Sequence, residues 1–304
     1  MAQDKVTVQV GDRRLTLSNL DKVLYPADGF SKAAVISYYT RVAPVLLPHV
    51  RDRPVTFVRY PDGVGNAQFF EKDVSRHAPD WVRTVRLTGS GSRGRGEAVD
   101  YPLLDDLPAL VWAANLAALE LHVPQWTAPG DETRQSPDRL VFDLDPGPPA
   151  TIVECCRTAE RLYDILVADG LTPVPKTSGS KGLQVYCGVR TRGPGRTSAY
   201  AKALAERLAT ETPRLVVARM TKALRTGKVF VDWSQNNPAK TTIAPYSLRG
   251  RERPTVSTPV TWDEVRACRR AEDLVFTATD VLDRVEEYGD LFGAVEERSA
   301  IPSR

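Results

Sequence analysis

The stretch RLVFDLDPGPPA, Arg139 to Ala150, sets two aspartates, Asp143 and Asp145, at the end of an apolar run and closes it with Pro146-Gly147. Leu140, Val141 and Phe142 read as a buried strand, and Pro-Gly reads as the turn that ends it. Residues two apart in a strand share a face, so the carboxylates stand side by side. Like charges that close repel unless a proton or a cation lies between them. A hard-metal site would use both oxygens and leave other positions to substrate phosphates. A surface turn held by Asx hydrogen bonds fits the same residues, and a lone D-x-D does not choose between the two.

Four further groups bear chemistry. In TSGSKGL (Thr177 to Leu183) two glycines flank Ser180-Lys181, so the turn can aim backbone N–H groups, the hydroxyls of Ser178 and Ser180 and the Lys181 charge at an anion. The Walker A spacing is absent, and taken alone these residues favour a plain hairpin turn with a solvated lysine. His122 falls where an apolar helical pattern gives way to VPQW. It reads as a satisfied helix-end histidine or as a contact to an anion or sugar hydroxyl. In GKVFVDWSQNNPAKTTIAPYSLRGRERP, Asp232 closes an apolar strand as Asp145 does, and Lys240, Arg249, Arg251 and Arg253 follow it. Finally, Lys22, Lys32 and Lys72 accompany the aromatic pair Phe69-Phe70, a combination suited to phosphate contacts beside base stacking. Alternation in a strand predicts that at least one of the two phenylalanines is buried.

The elements that must position these residues are irregularly ordered. Ser31 reads as the N-cap of a helix to Leu47, and Val55 to Tyr60 as a strand. RLTGSGSRGRGEAVDYPLL reads as a hairpin with a Gly/Ser/Arg-rich loop, and Pro108 to Leu121 as a helix. After the Asp-x-Asp strand come a helix from Ile152 to Asp169, strands at TPVPKTS and Leu183 to Val189, and a helix at AYAKALAERLATE. Strands at RLVVARM and KVFVDWSQN complete the series. This mixture favours an α+β fold with a mixed sheet.

With 304 residues, 42% hydrophobic and 26% charged, the chain has ample core material for one large domain or two packed ones. Its net charge of +3, 41 basic minus 38 acidic residues, is too mild to identify a nucleic-acid partner by itself. Cys155, Cys156, Cys187 and Cys268 form no C-x-x-C pair, there is no apolar run of spanning length, and the first residues do not read as a signal peptide. A reduced, cytoplasmic protein with no membrane partner is the expectation.

Taken in order, DKVLYP, FFEK, LELHVPQW, LVFDLDPG, TSGSKGL and KVFVDWSQNN…KTTIAPYSLRGR resemble the polymerase domain of bacterial DNA ligase D, of the archaeo-eukaryotic primase superfamily. The resemblance runs from about Leu15 to about Asp290. It implies a mixed-sheet, RRM-like catalytic core (about residues 106–304) with a packed N-terminal α/β lobe (about 1–105) in a single primase-polymerase domain. It implies template-dependent addition of ribo- or deoxyribonucleotides, in short patches, at DNA gaps or broken ends carrying a 5′-phosphate. Asp143, Asp145 and Asp232 would hold two Mn²⁺ or Mg²⁺ ions. His122, Ser178, Ser180, Lys181 and Arg249 would hold the NTP or dNTP. Asn19, Lys22, Lys32 and Lys72 would grip the 5′-phosphate, Phe69 and Phe70 would meet the bent template, and Arg225 matches a loop arginine near the metals.

Two positions depart from the family pattern. Val58 stands where a basic residue is expected, which removes a phosphate contact and flattens salt dependence. The loop of residues 88–100 is longer than expected, which favours gap filling over end bridging. Because no ligase or nuclease module follows before Arg304, the expectation is a stand-alone, monomeric, nucleoid-associated bacterial relative working with a DNA ligase and a Ku-like protein. The rivals are a catalytically silent end-binding module that recruits a ligase, and a D-x-D glycosyltransferase. The first leaves the clustered aspartates without a purpose; the second leaves Asp232 and the lysine set unexplained.

Overall fold

A short hairpin starts the chain. In this computed structural model, which describes residues 5–88, 98–130 and 133–302, β1 (Lys5–Val10) pairs with β2 (Arg13–Ser18), and β3 (Val23–Tyr25) with β4 (Phe30–Ser31). Ser31 caps α1 (Lys32–Val50), its hydroxyl accepting from the Ala34 amide at 3.2 Å. Strands β5 (Thr56–Arg59) and β6 (Phe69–Glu71) follow, then a hairpin of β7 (Thr84–Thr88) and β8 (Ala98–Pro102). The Gly/Ser/Arg-rich loop between them, residues 89–97, lies outside the described residues.

The helix expected over Pro108–Leu121 divides. Helix α2 (Leu107–Asn115) stops, Ala117 adopts a left-handed φ of 57°, and β9 (Ala118–Val123) begins. Ala and Leu favour helix locally, yet Leu119, Leu121 and Val123 alternate with Glu120 and His122, and pairing with two neighbouring strands outweighs that preference. His122 is therefore a mid-strand residue and not a helix end.

Next come β10 (Arg139–Pro146), α3 (Ile152–Ala168), β11 (Pro173–Thr177), β12 (Leu183–Arg190) and α4 (Arg196–Glu211). Strand β13 is only Val216–Val217, shorter than RLVVARM suggests. Strand β14 (Val229–Asp232) ends at Asp232, where the chain tightens into a 3₁₀ turn, Trp233–Asn236. The remaining elements are β15 (Thr242–Ile243), α5 (Trp262–Ala267), α6 (Ala278–Tyr288) and β16 (Ser299–Ala300). Among the described residues no helix is long and apolar enough to cross a membrane, and the four cysteines are buried and free.

The fold is α+β with two principal sheets. The first, ordered β15-β9-β5-β6, is antiparallel. The second, β11-β12-β10-β14-β13, is mixed: β13 runs parallel to β14, and β16 joins β12 in parallel. The two sheets interleave in sequence, because β9 and β15 lie beyond residue 106 yet build the first sheet.

Alternation along the second sheet assigns its faces. Leu140, Phe142, Leu144, Leu183, Val185, Val229 and Val231 pack in one core cluster with residues of α3 and α4. Val141, Val174 and Tyr186 belong instead to the cluster built on α1, α2 and the first sheet. Asp143 and Asp145 share the face of Val141, which places them between the two lobes. Buried Arg53 clamps that junction, donating to both oxygens of Asp138 at 2.9 and 2.8 Å just before β10.

Behind β12 the C-terminal segment lies against bare backbone. A Cβ on Gly188 would stand 2.0 Å from the Val295 carbonyl oxygen and 2.7 Å from that of Glu297. Gly188→Ala is therefore expected to lower stability by about 1–3 kcal/mol through forced backbone displacement. Urea unfolding checks the size, and limited proteolysis should show earlier cleavage within residues 293–300. Unchanged stability would mean the segment is not packed as described.

Candidate nucleotide and metal site

Strand register brings the aspartates together. Asp143 stands directly opposite Asp232 on the neighbouring strand, and Asp145 follows two residues along β10 on the same face. Asp143 and Asp145 line a cavity of about 250 Å³ with His122, Ser178, Ser180, Lys181, Gln184, Gln235, Thr242, Arg249 and Arg251. Thus every nucleotide-contacting residue expected from the sequence faces one space. Asp232 is not on its lining. It is 8% exposed and accepts from Ser234 N at 3.0 Å and Gln235 Nε2 at 2.9 Å, with Lys240 Nζ 3.9 Å away.

Burial, and then the charge of Asp145, raises the pKa of Asp143 well above the ordinary carboxylate range. Asp145 is raised by burial and by Asp232, with Arg225 and Lys181 opposing the shift. This is the signature of a negative cluster short of cations. The donors are all carboxylate oxygen, the set that suits Mg²⁺ or Mn²⁺. Among the described residues no three such groups close around a single ion, so water in the free protein, and phosphate oxygens once a nucleotide is bound, would complete the coordination, as is usual for Mg²⁺.

The TSGSKGL turn works differently from the expected amide cradle. Ser178 Oγ accepts from the amides of Ser180 (3.3 Å) and Gly182 (3.1 Å), so those two N–H groups are spent inside the turn. What the cavity offers an anion includes the hydroxyls of Ser178 and Ser180 and the charges of Lys181, Arg249 and Arg251.

Glu120, which the sequence did not single out, organises the opposite wall. Nearly buried on β9, it lies 2.8 Å from His122 Nε2, accepts from Gly250 N at 2.9 Å, and faces Arg249 Nε at 3.2 Å. Burial alone would raise its pKa; the His122 bond and the Arg249 charge hold it down at about 2. The i, i+2 spacing in LELHV is the signal that could have found it, once that segment is read as a strand. Tyr25 reaches the same wall, donating to the Arg249 carbonyl at 2.8 Å.

Arg225 lies in an adjoining recess of about 330 Å³ lined also by Asp145, Lys181 and Lys222. Its guanidinium stacks 3.7 Å from the centroid of the Phe230 ring. Gly147 lets that loop dock on β10, since a Cβ there would stand 1.9 Å from the Arg225 carbonyl oxygen.

The remaining residues lie outside the aspartate cavity's lining. Asn19, at a left-handed φ of 53°, turns the chain so that its carbonyl accepts from Lys22 N, and Lys22 O accepts from Lys32 N. Lys32 is 6% exposed, its Nζ donating to Ser18 O at 2.7 Å; burial, Lys22 and Arg59 lower its pKa to about 8. Lys72 is exposed and borders a small recess with Trp126 and Arg134. Phe69 and Phe70 are 54% and 68% exposed, against the expectation that one is buried. Strand β6 is a three-residue edge strand that leaves both rings uncovered. Val58 is 2% exposed and sits in the core.

Comparison with known proteins places this geometry. The chain belongs to the family described as LigD, primase-polymerase domain, matched over residues 31–292. It is 44% identical over 296 residues to the multifunctional non-homologous end joining protein LigD of Mycolicibacterium smegmatis, covering 96% of this chain and 37% of that one. It is 31% identical over 278 residues to the bifunctional non-homologous end joining protein LigD of Bacillus subtilis, covering 91% and 43%. The chain thus spans well under half the length of these relatives. The polymerase domain of Mycobacterium tuberculosis ligase D, solved in complex with DNA, matches with a TM-score of 0.87 and 42% identity over 94% of this chain and 99% of that one.

The crowded carboxylates carry a measurable cost. A folded-state pKa raised above the unfolded value means the native state holds the proton more tightly, so stability present below about pH 4 falls as pH rises toward the raised value. Asp143→Asn should therefore raise Tm of the metal-free protein by roughly 2–4 °C at alkaline pH, with little gain in acid, and should remove the stabilisation by added Mn²⁺. Differential scanning fluorimetry across pH checks both, and a destabilised Asn variant would contradict the reading.

Proposed function

We propose that this chain is a template-dependent nucleotidyltransferase. It adds short patches of ribo- or deoxyribonucleotides at gaps or broken DNA ends with a 5′-phosphate, as part of end-joining repair in the bacterial cytoplasm at the nucleoid. The observation that carries it is the register pairing of Asp143 with Asp232, next to a cavity where Asp143 and Asp145 meet Ser178, Lys181 and Arg249. Family membership and the likeness to a polymerase domain solved with DNA support the same reading.

Asp143, Asp145 and Asp232 would hold two divalent ions, Mn²⁺ or Mg²⁺, whose chemistry when bound is to activate a primer hydroxyl and offset triphosphate charge. The chain's own groups do the rest. Lys181, Arg249 and Arg251 supply positive charge to the phosphates, and Ser178 donates its hydroxyl proton. His122, held by Glu120, is set to meet the sugar, and Arg225 guards the adjoining recess. Asn19, Lys22, Lys32 and Lys72 supply the 5′-phosphate contacts, and exposed Phe69 and Phe70 offer stacking faces to the template. A DNA ligase and a Ku-like protein are the partners this role calls for, the enzyme itself acting as a monomer. A silent end-binding module would have no use for crowded carboxylates that weaken its own fold.

Primer extension on a gapped duplex with a downstream 5′-phosphate, with Mn²⁺ and either nucleotide type, tests the proposal. Templated products from the wild type that vanish in Asp143→Ala/Asp145→Ala are expected. Tight gap binding with no extension under either metal would leave the end-binding module as the better reading.

The low pKa of Lys32 yields a second expectation. The ammonium must be charged to attract phosphate, so preference for 5′-phosphate over 5′-hydroxyl DNA should shrink as pH rises from about 7 to about 9. Lys32→Met should lose both the preference and its pH dependence in fluorescence-anisotropy titrations. A preference that is flat with pH in the wild type would exclude Lys32 from that contact.

A further inference from the structure

One row of residues crosses four strands on the cavity-side face of the second sheet. Lys176 stands opposite Gln184, Gln184 opposite Asp143, and Asp143 opposite Asp232. Lys176, the inner end of the row, has no exposed surface, and nothing in the site chemistry above uses it.

Its contacts are directional. Lys176 Nζ donates to Gln184 Oε1 and to Ser257 Oγ, each at 2.6 Å. Ser257 gives its own proton to Thr177 O at 2.9 Å, so its oxygen is left to accept. Tyr186 OH lies 3.4 Å from Gln184 Oε1, but its single proton goes to Thr242 Oγ1 at 2.8 Å, so Lys176 is the donor that fixes the amide oxygen. Burial holds the Lys176 pKa well below the ordinary lysine value, and charged or neutral the amine keeps its N–H donors. The amide oxygen of Gln184 is therefore drawn inward. Its Nε2 must face outward, and it donates to Asp143 Oδ1 at 3.0 Å. A flipped amide would set oxygen against the carboxylate oxygen and NH₂ against the amine.

We propose that Lys176 is a positioning residue for Asp143, acting through Gln184: it fixes which way the amide points, so that one aspartate oxygen is occupied and the other is left for a divalent ion. The inference rests on the metal-binding reading of Asp143. Groups behind a ligand that orient it typically change metal affinity by about 10–100-fold when removed.

The alternative is a purely structural lysine, tying β11 to the segment around Ser257, where Thr177 N also donates to Thr258 O. A double-mutant cycle on Mn²⁺ affinity, measured calorimetrically on the full chain without DNA or nucleotide, separates the two. Lys176→Met and Gln184→Leu should each weaken Mn²⁺ binding about tenfold or more, and the double variant should bind no more weakly than Gln184→Leu alone. Thermal melts confirm folding. Should Lys176→Met not fold, Lys176→Gln replaces it in the cycle, with a smaller loss that again vanishes in the Gln184→Leu background. Equal losses in both backgrounds, or no loss in the wild-type background, overturn the inference. Wild-type protein that binds no Mn²⁺ removes the metal reading as well; wild-type binding with an unaffected lysine variant removes this inference alone.

Discussion

Repulsion between carboxylates on one sheet face is the constraint around which this molecule is built. Asp143 and Asp232 are cross-strand neighbours, and Asp145 shares their face, so no side-chain rotation can carry them far apart. A pleated sheet fixes its side-chain positions through backbone hydrogen bonds, and those bonds are indifferent to the charges they bring together. The energy appears as raised carboxylate pKa values. The apolar face beneath, Leu140, Phe142 and Leu144 against α3 and α4, keeps the strand in place despite it. The carboxylate cluster is thus held at the expense of local stability, the usual relation at a functional site and the one the proposed metal binding would explain.

The cationic groups divide by whether an acid already answers them. Arg53 is matched by Asp138 and Arg59 by Glu71, and both pairs serve the architecture. Lys22 reaches Asp62 at an exposed position, a pair that solvent weakens. Lys181 and Arg251 face the cavity, while Lys32 answers only to a carbonyl and two neighbouring cations. Arg249 is intermediate, partly neutralised by Glu120, which holds it against the wall as well as tempering its charge. Among the described residues, Lys181 and Arg251 at the cavity and Lys32 at the Lys22–Lys32 turn have no acid partner, a charge that suits phosphate groups.

Tyrosines join these two regions. Tyr25, fully buried, donates to the Arg249 carbonyl, while Tyr38 and Tyr39 donate to the carbonyls of Tyr246 and Leu119. Each spends its single proton on backbone from a distant part of the chain. The Lys22–Lys32 turn and the Arg249 wall are consequently parts of one packed body, and a contact at one is geometrically tied to the other.

Much of the carboxylate-bearing face was legible from local pattern. Period-two alternation put Asp143 and Asp145 on one face, and the motif series TSGSKGL, LELHVPQW and KVFVDWSQNN was sufficient to name a family and most of the cavity's lining. What local pattern could not supply is partnership between strands far apart in sequence. The opposition of Asp232 to Asp143, and the row through Gln184 to Lys176, exist only because β10, β11, β12 and β14 pair in one particular register. Lys176 reads as an ordinary charged residue in TPVPKTS until that register buries it. The segment Ala118–Val123 reads as helix because propensity is a property of neighbours in sequence, whereas its strand conformation comes from neighbours in space. Phe69 and Phe70 are exposed together because β6 ends its sheet and none of the described residues buries either ring. The sequence by itself determined which residues share a face of each strand, since that follows from backbone geometry alone. The tertiary structure decided which faces meet, because cross-strand register and lobe packing are set by long-range burial that no short stretch contains.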